Sequence, residues 1–163
     1  MWDILSGTTV LAIDVGGHRV KAAILRDGNQ TDLVINRYPS VELNPEIAKS
    51  MVPGEERIKG TLQIIKSLYN PRKVTHLAIS STDIVDYRSA TILRASSPSY
   101  QGTNWSELLC ASSLVEDDVF FCLQNDAKCG AWGEYNLMKT PEQANPFCFI
   151  ASKHISGVCS LMY

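Results

Sequence analysis

One segment limits the possible folds more than any other. Residues 10–16, VLAIDVG, are β-branched and apolar on both sides, as in a strand buried on both faces, and the run closes on an aspartate and glycine. Gly16 and Gly17 break it. RVKAAILRDG, residues 19–28, then resumes an apolar run that stops at Asp27-Gly28. Two strands joined by a tight glycine turn predict a hairpin. TDLVINRYPS, residues 31–40, predicts a third strand and so an antiparallel meander.

The pattern then changes. From Pro53, PGEERIKGTLQIIKSLYNP predicts a helix whose Ile58, Leu62, Ile65 and Leu68 share one face. Glu55 and Glu56 sit in its first turn, where the helix dipole favours negative charge. Asn70-Pro71 is expected to stop it. VTHLAISS and SATILRAS predict strands. Asn104 with Glu107 resembles a capping box ahead of a short helix through Leu109. DVFFCLQ predicts a further buried strand, and residues 126–138 a helix packed closely through Gly130 and Gly133. FCFIAS and GVCSLMY predict a last pair of strands. Three strands followed by helices and strands in alternation specify an α/β domain with a mixed sheet and right-handed crossovers.

Composition excludes several function classes. The 163 residues suit one domain, or one and a fraction. With 45% hydrophobic and 20% charged residues the chain is an ordinary globular one, not a disordered one. A formal charge of −2, with no run of Lys and Arg, gives no electrostatic reason to bind nucleic acid or an anionic membrane. Cys110, Cys122, Cys129, Cys148 and Cys159 form no C-x-x-C pair, so no zinc site is expected. They read as buried, reduced thiols. The N-terminal MWDILSG lacks a basic, apolar leader, and no window approaches a membrane span. The expected location is cytoplasmic.

Two segments offer chemistry. In IDVGGHRVK, Asp14 ends a buried strand and Gly16 and Gly17 follow. Glycines without Cβ atoms let backbone N–H groups approach an anion, and Asp14 can hold a hydrated Mg²⁺ beside it. An ordinary hairpin turn uses the same residues. In LQNDAKCGAWGE, Asp126 lies where a strand meets a helix, at the edge where α/β sheets bind ligands. A carboxylate there can act as general base toward a hydroxyl, kept ionised by the helix end. It can equally be a helix N-cap.

Together the segments resemble a known family. IDVGG followed by Lys21, then LAISSTDIVD, ASSPSYQGTNWSELL and QNDAKCGAWGE are similar to the N-terminal half of ROK-family proteins, from about Val10 to Glu134. That family groups sugar kinases, related proteins and repressors on the actin-like ATPase (ribonuclease H-like) fold. Asn125-Asp126-Ala127 with Gly133-Glu134 follows the family's N-D-A-N-x-x-A-x-G-E pattern most closely.

The resemblance implies Asp126 as the base for a sugar hydroxyl, with Asn125 and Ser97 as sugar contacts. It implies Asp14, Gly16, Gly17 and His18 at the phosphate site of Mg-ATP, with Asp14 on the metal side. The expected layout is an actin-like lobe over residues 1–124, then a connecting helix and the start of a second lobe over 125–163.

The departures are specific. His18 stands where the family has threonine. Ser81-Thr82 stands where it usually has Pro-Gly. Residues 152–158, SKHISGV, keep one glycine of the second phosphate motif G-T-G-x-G-G-G. Side chains there obstruct the close backbone approach that phosphate needs. The chain is also about half the family's usual length. The expectation is a ROK-like sugar kinase relative, impaired alone, or else a non-catalytic sugar-binding or protein-interaction module. Its partners are expected to be a hexose-type sugar and a second copy, or another protein, covering the face of the missing lobe.

Overall fold

The computed structural model describes residues 7–38, 52–116, 118–137, 147–151 and 157–161. β1 (Thr9–Val15), β2 (Arg19–Arg26) and β3 (Asn29–Arg37) form the expected antiparallel meander. Helix α1 (Gly54–Arg72) then crosses to β4 (His76–Ser81), which lies parallel to β1. A small hairpin of β5 (Ile84–Asp86) and β6 (Thr91–Arg94) follows. Next come a single 3-10 turn (Pro98–Tyr100), α2 (Trp105–Ser112) and β7 (Phe120–Asn125), which is parallel to β4. Helix α3 (Asp126–Leu137) starts where β7 ends and lies against the hairpin of β8 (Phe147–Ala151) and β9 (Gly157–Leu161). The main sheet has the order β3-β2-β1-β4-β7, a mixed sheet of five strands.

Alternation along the strands sets the core. Leu11, Ile13 and Val15 of β1, Val20, Ala22 and Ile24 of β2, and Leu77 and Ile79 of β4 are buried on the face that α1 covers. The buried stripe of α1 is Arg57, Thr61, Ile64, Ile65 and Leu68. Ile58 and Leu62, expected on that stripe, are only partly buried at its margin. Gly60 lets the helix close on the sheet, because a Cβ there would lie 3.0 Å from the buried Tyr38 ring.

Four other expectations change. First, α1 does not stop at Asn70-Pro71 but runs to Arg72. Proline this late forfeits one terminal hydrogen bond, and the end is closed from outside. Val74 N donates to Tyr69 O across Lys73, whose φ is +51°, in a Schellman-type cap.

Second, β7 is not a buried strand. It lies at the edge of the sheet, so Phe120 is 62% exposed and Leu123 carries its burial. Third, Cys110, Cys122 and Cys129 are exposed, since α2, the edge strand and α3 turn them away from the α1-covered core. Cys148 and Cys159 lie outside the residues whose side chains are described. Fourth, Gly133 makes no close packing contact among the described residues: none of them lies within 4 Å of where its Cβ would stand. Among the described residues no helix is long and apolar enough to cross a membrane.

Candidate functional site

The carboxyl ends of three parallel strands meet side by side. Asp14 of β1 pairs in register with Ser80 of β4, and Ser80 with Gln124 of β7. The next row is Val15, Ser81 and Asn125. Strand ends of this kind form the ligand edge of α/β sheets. Asp14, Asn125 and Asp126 therefore come to one edge, beside the turn that carries Gly16, Gly17 and His18.

Asp14 is held from two sides. Lys21 Nζ donates to its Oδ2 at 2.6 Å, and Ser80 Oγ donates to its Oδ1 at 3.1 Å. Lys21 has no role in the reading of the sequence. The hairpin register supplies one, because Asp14 and Lys21 are direct cross-strand partners. The glycines serve the turn. Gly16 N donates to Arg19 O at 3.1 Å, and a Cβ at Gly16 would press that same oxygen at 3.0 Å. Tyr38 ties the turn down: its hydroxyl donates to Gly16 O and its N–H to His18 O. The His18 side chain is exposed at the tip.

Asn125 has both ends of its side chain in use. Its Nδ2 donates to Asp83 O at 3.1 Å and more weakly to Ser81 O at 3.5 Å. Its Oδ1 accepts from Lys128 N at 3.2 Å and so caps α3. The cap is thus Asn125, and Asp126 is the first helical residue. Asp126 Oδ1 accepts from Ala127 N at 2.7 Å. Burial lifts the Asp126 carboxyl above the usual aspartate range; the Ala127 N–H opposes this, and the charges of Asp14 and Asp83 add to it.

Ser97 is buried rather than open to this edge. Its Oγ lies 3.3 Å from Ser99 Oγ, and Ser99 Oγ accepts from Gly54 N at 2.8 Å, joining the 3-10 turn to the start of α1. His76 is paired, with Nδ1 2.9 Å from Thr75 Oγ1 and its ring against Phe120. Trp105 is a core residue, whereas Trp132 is half exposed. The second glycine motif, residues 152–156 with Lys153 and His154, lies outside the described residues.

No protein-family model and no curated protein matches the chain. Solved structures do. A putative N-acetylmannosamine kinase from Listeria monocytogenes superposes with a TM-score of 0.59 at 16% identity, over 86% of this chain and 42% of its own. A ROK family protein from Streptococcus pneumoniae TIGR4, solved with sucrose, gives 0.56 at 23% identity, over 83% and 39%. A ROK hexokinase from Thermus thermophilus gives 0.51 at 18%, over 79% and 39%. The fold is that of the ROK-family sugar kinases. It is the actin-like ATPase fold expected from the sequence, and the chain spans less than half the length of these proteins.

The loop after β4 is tied down by a cluster of contacts to Asp83. Asp83 is 6% exposed, and its Oδ2 accepts from Arg57 Nη1 at 3.1 Å and Ser81 Oγ at 3.2 Å. Its Oδ1 accepts from Ser96 N at 3.1 Å and Ser96 Oγ at 3.3 Å. Arg57 comes from the first turn of α1, is fully buried, and stacks 5.3 Å from the Tyr100 ring. Nothing in the helical pattern announces an arginine on the buried side, so sequence reasoning missed this pair. A cavity of about 270 Å³ opens on the sheet face away from α1. It is lined by Ala12, Ala23, Ala78, Cys122 and Cys129, with Asp14 and Lys21 at its polar end. Partial desolvation against this lining, with Cys122, Asp126 and Asp14 nearby, pushes the Cys129 thiol up to about 11, so it is protonated at neutral pH although the residue keeps an exposed side.

Proposed function

We propose that the chain is a ROK-like sugar kinase relative. It binds a hexose-type sugar at the carboxyl ends of β1, β4 and β7 and is impaired in phosphoryl transfer by itself. The observation that carries this is the convergence of Asp14, Asn125 and Asp126 at one strand-end edge. Asp126, part-buried at the start of α3, is the group to accept a hydrogen bond or proton from a sugar hydroxyl. Support for the substrate class comes from the ROK hexokinase and N-acetylmannosamine kinase that share the fold.

The residues at the first glycine turn do not fit Mg-ATP. Both Asp14 oxygens are engaged, one by a cation, and the Gly16 N–H is spent inside the turn. His18 adds bulk where a phosphate would approach. No transfer step is therefore assigned to this chain. In this reading residues 1–124 form an N-terminal actin-like ATPase lobe and residues 125–163 the connecting helix and the partial start of a second lobe. Exposed free thiols at Cys110, Cys122 and Cys129 suit a cytoplasmic setting.

The test is thermal unfolding of the chain with glucose, N-acetylglucosamine, N-acetylmannosamine and Mg-ATP added separately. A ligand at 100 times its Kd adds about 2.7 kcal/mol to the folded state. A higher midpoint with at least one sugar, and none with Mg-ATP, is expected. No response to any sugar overturns the binding reading, and a response to Mg-ATP overturns the impairment.

One observation favours a second reading, a protein-interaction module. Leu33 and Ile35 are 58% and 51% exposed at the rim of the face that α1 leaves open. Concentration-dependent association without any sugar effect would support it, with a second copy or another protein as the cover.

A further inference from the structure

The loop that follows β4 is held by a buried ion pair, and its backbone in turn holds Asn125. Four donors converge on the Asp83 carboxylate: Arg57 Nη1, Ser81 Oγ, Ser96 N and Ser96 Oγ. The same residue's carbonyl accepts from Asn125 Nδ2, and Asn125 Oδ1 caps α3 through Lys128 N. A continuous path thus runs from the first turn of α1, through Asp83 and Asn125, to the helix start that carries Asp126. We propose that Arg57 and Asp83 are positioning residues that fix the Asn125 amide and, through it, the Asp126 carboxylate for sugar binding.

Two features separate this from a purely structural role. A fully buried ion pair is a poor means of raising stability, because its desolvation offsets most of its attraction and apolar replacements are often as stable. The loop is also imperfectly satisfied: Thr82 Oγ1 is buried with no hydrogen-bond partner among the described residues. The loop is therefore held in one conformation by the Asp83 contacts rather than by optimal pairing of its own groups. Misplacement of a site group by about 1 Å can cost on the order of 100-fold in function, so a fixed loop matters more to the site than to the fold.

The inference rests on the sugar-binding reading for its consequence, but its geometry can be tested separately. The experiment uses the full chain with Arg57→Met and Asp83→Leu combined, and Asp83→Asn alone in case the double variant does not fold. Three quantities are read: the thermal midpoint, hydrogen exchange of the Asn125 side-chain amide by NMR, and affinity for the sugar that stabilises the wild type. The double variant is expected to unfold at a lower midpoint, because Ser81 Oγ, Ser96 N and Ser96 Oγ lose their acceptor, while remaining folded at 25 °C. Its Asn125 amide is expected to exchange about tenfold faster as the loop opens locally, and its sugar affinity to fall by a similar factor.

Asp83→Asn, which keeps an oxygen acceptor but not the charge, should show a smaller change in the same direction. Unchanged exchange of the Asn125 amide in whichever variant folds overturns the proposal. So does unchanged sugar affinity despite faster exchange. A wild type that binds no sugar overturns the sugar reading instead, while the Asn125 exchange still decides whether the pair positions that amide.

Discussion

Lys21 Nζ lies 2.6 Å from Asp14 Oδ2, one cross-strand pair below the turn that carries Gly16 and Gly17. The pair puts a fixed cation beside the Asp14 carboxylate at the first glycine turn. Both side chains remain partly exposed, at 39% and 34%, so the pair contributes little to stability while it neutralises the Asp14 charge.

For Lys21→Met, the expected loss of stability is below about 1 kcal/mol, since exposed ion pairs seldom give more. The variant should also gain more stability from millimolar Mg²⁺ than the wild type does, because Asp14 is released to meet the cation. Urea midpoints with and without Mg²⁺ measure both effects. An equal Mg²⁺ response in the two proteins would detach Lys21 from the availability of Asp14.

Asp126 carries a pH prediction. Its carboxyl is raised, first by burial, so the folded chain holds this proton more tightly than the unfolded chain does. Stability from this group is then fully present below the ordinary value of 3.8 and declines as pH rises through the raised folded value. Asp126→Asn removes that decline and keeps an acceptor for the Ala127 N–H. The variant should be more stable than the wild type at pH 7, and the gap should close toward pH 3. Sugar binding should weaken in the variant with the fold intact, as seen by far-UV circular dichroism alongside the ligand-induced midpoint shift.

Two helical glycines should respond in opposite ways. At Gly54 a Cβ would stand 2.4 Å from Tyr100 N, a contact with backbone that cannot swing aside. Gly54→Ala should cost about 1–3 kcal/mol, the usual range for forced overpacking. At Gly133 nothing among the described residues stands within 4 Å, and the residue is exposed within α3. Gly133→Ala should therefore add up to about 1 kcal/mol from helix propensity. Denaturant midpoints of the two variants should move apart; a shared direction would contradict the placement of one helix.

Tyr100 and Trp105 form a buried pair, with Trp105 Nε1 donating to Tyr100 Oη at 3.1 Å. Burial pushes the Tyr100 hydroxyl up to about 12, so it is neutral throughout the ordinary pH range. Tyr100→Phe leaves the indole N–H without that acceptor and should cost about 1–3 kcal/mol. Trp105→Phe removes the orphaned donor along with ring volume. In a double-mutant cycle on unfolding free energy, the two losses should sum to more than the double variant shows.

Much of the fold is legible in the sequence because its signals are local. The glycine turns after Val15 and after Arg26 place the meander, the spacing of apolar residues places α1, and Asn104 caps α2 by accepting from Glu107 N at 3.1 Å as its pattern predicts. The site is legible only as residue types at strand ends. Asp14 and Asn125-Asp126 stand out, but their hydrogen-bond partners do not, because Lys21, Ser80 and Asp83 reach them across strands or across a loop.

The sequence by itself determined the order of elements, the mixed α/β class and the strand-end edge where chemistry would lie. Period and turn chemistry act between near neighbours, so one chain read in order reveals them. Tertiary structure alone decided which face of each element is buried and which polar groups are spent. It placed Arg57 inside, turned Cys122 and Phe120 outward on an edge strand, and gave Asp14 to Lys21 and Asn125 to the Asp83 loop. Those outcomes depend on which elements become neighbours in space, and a buried polar group must find its partner among whatever the fold brings beside it.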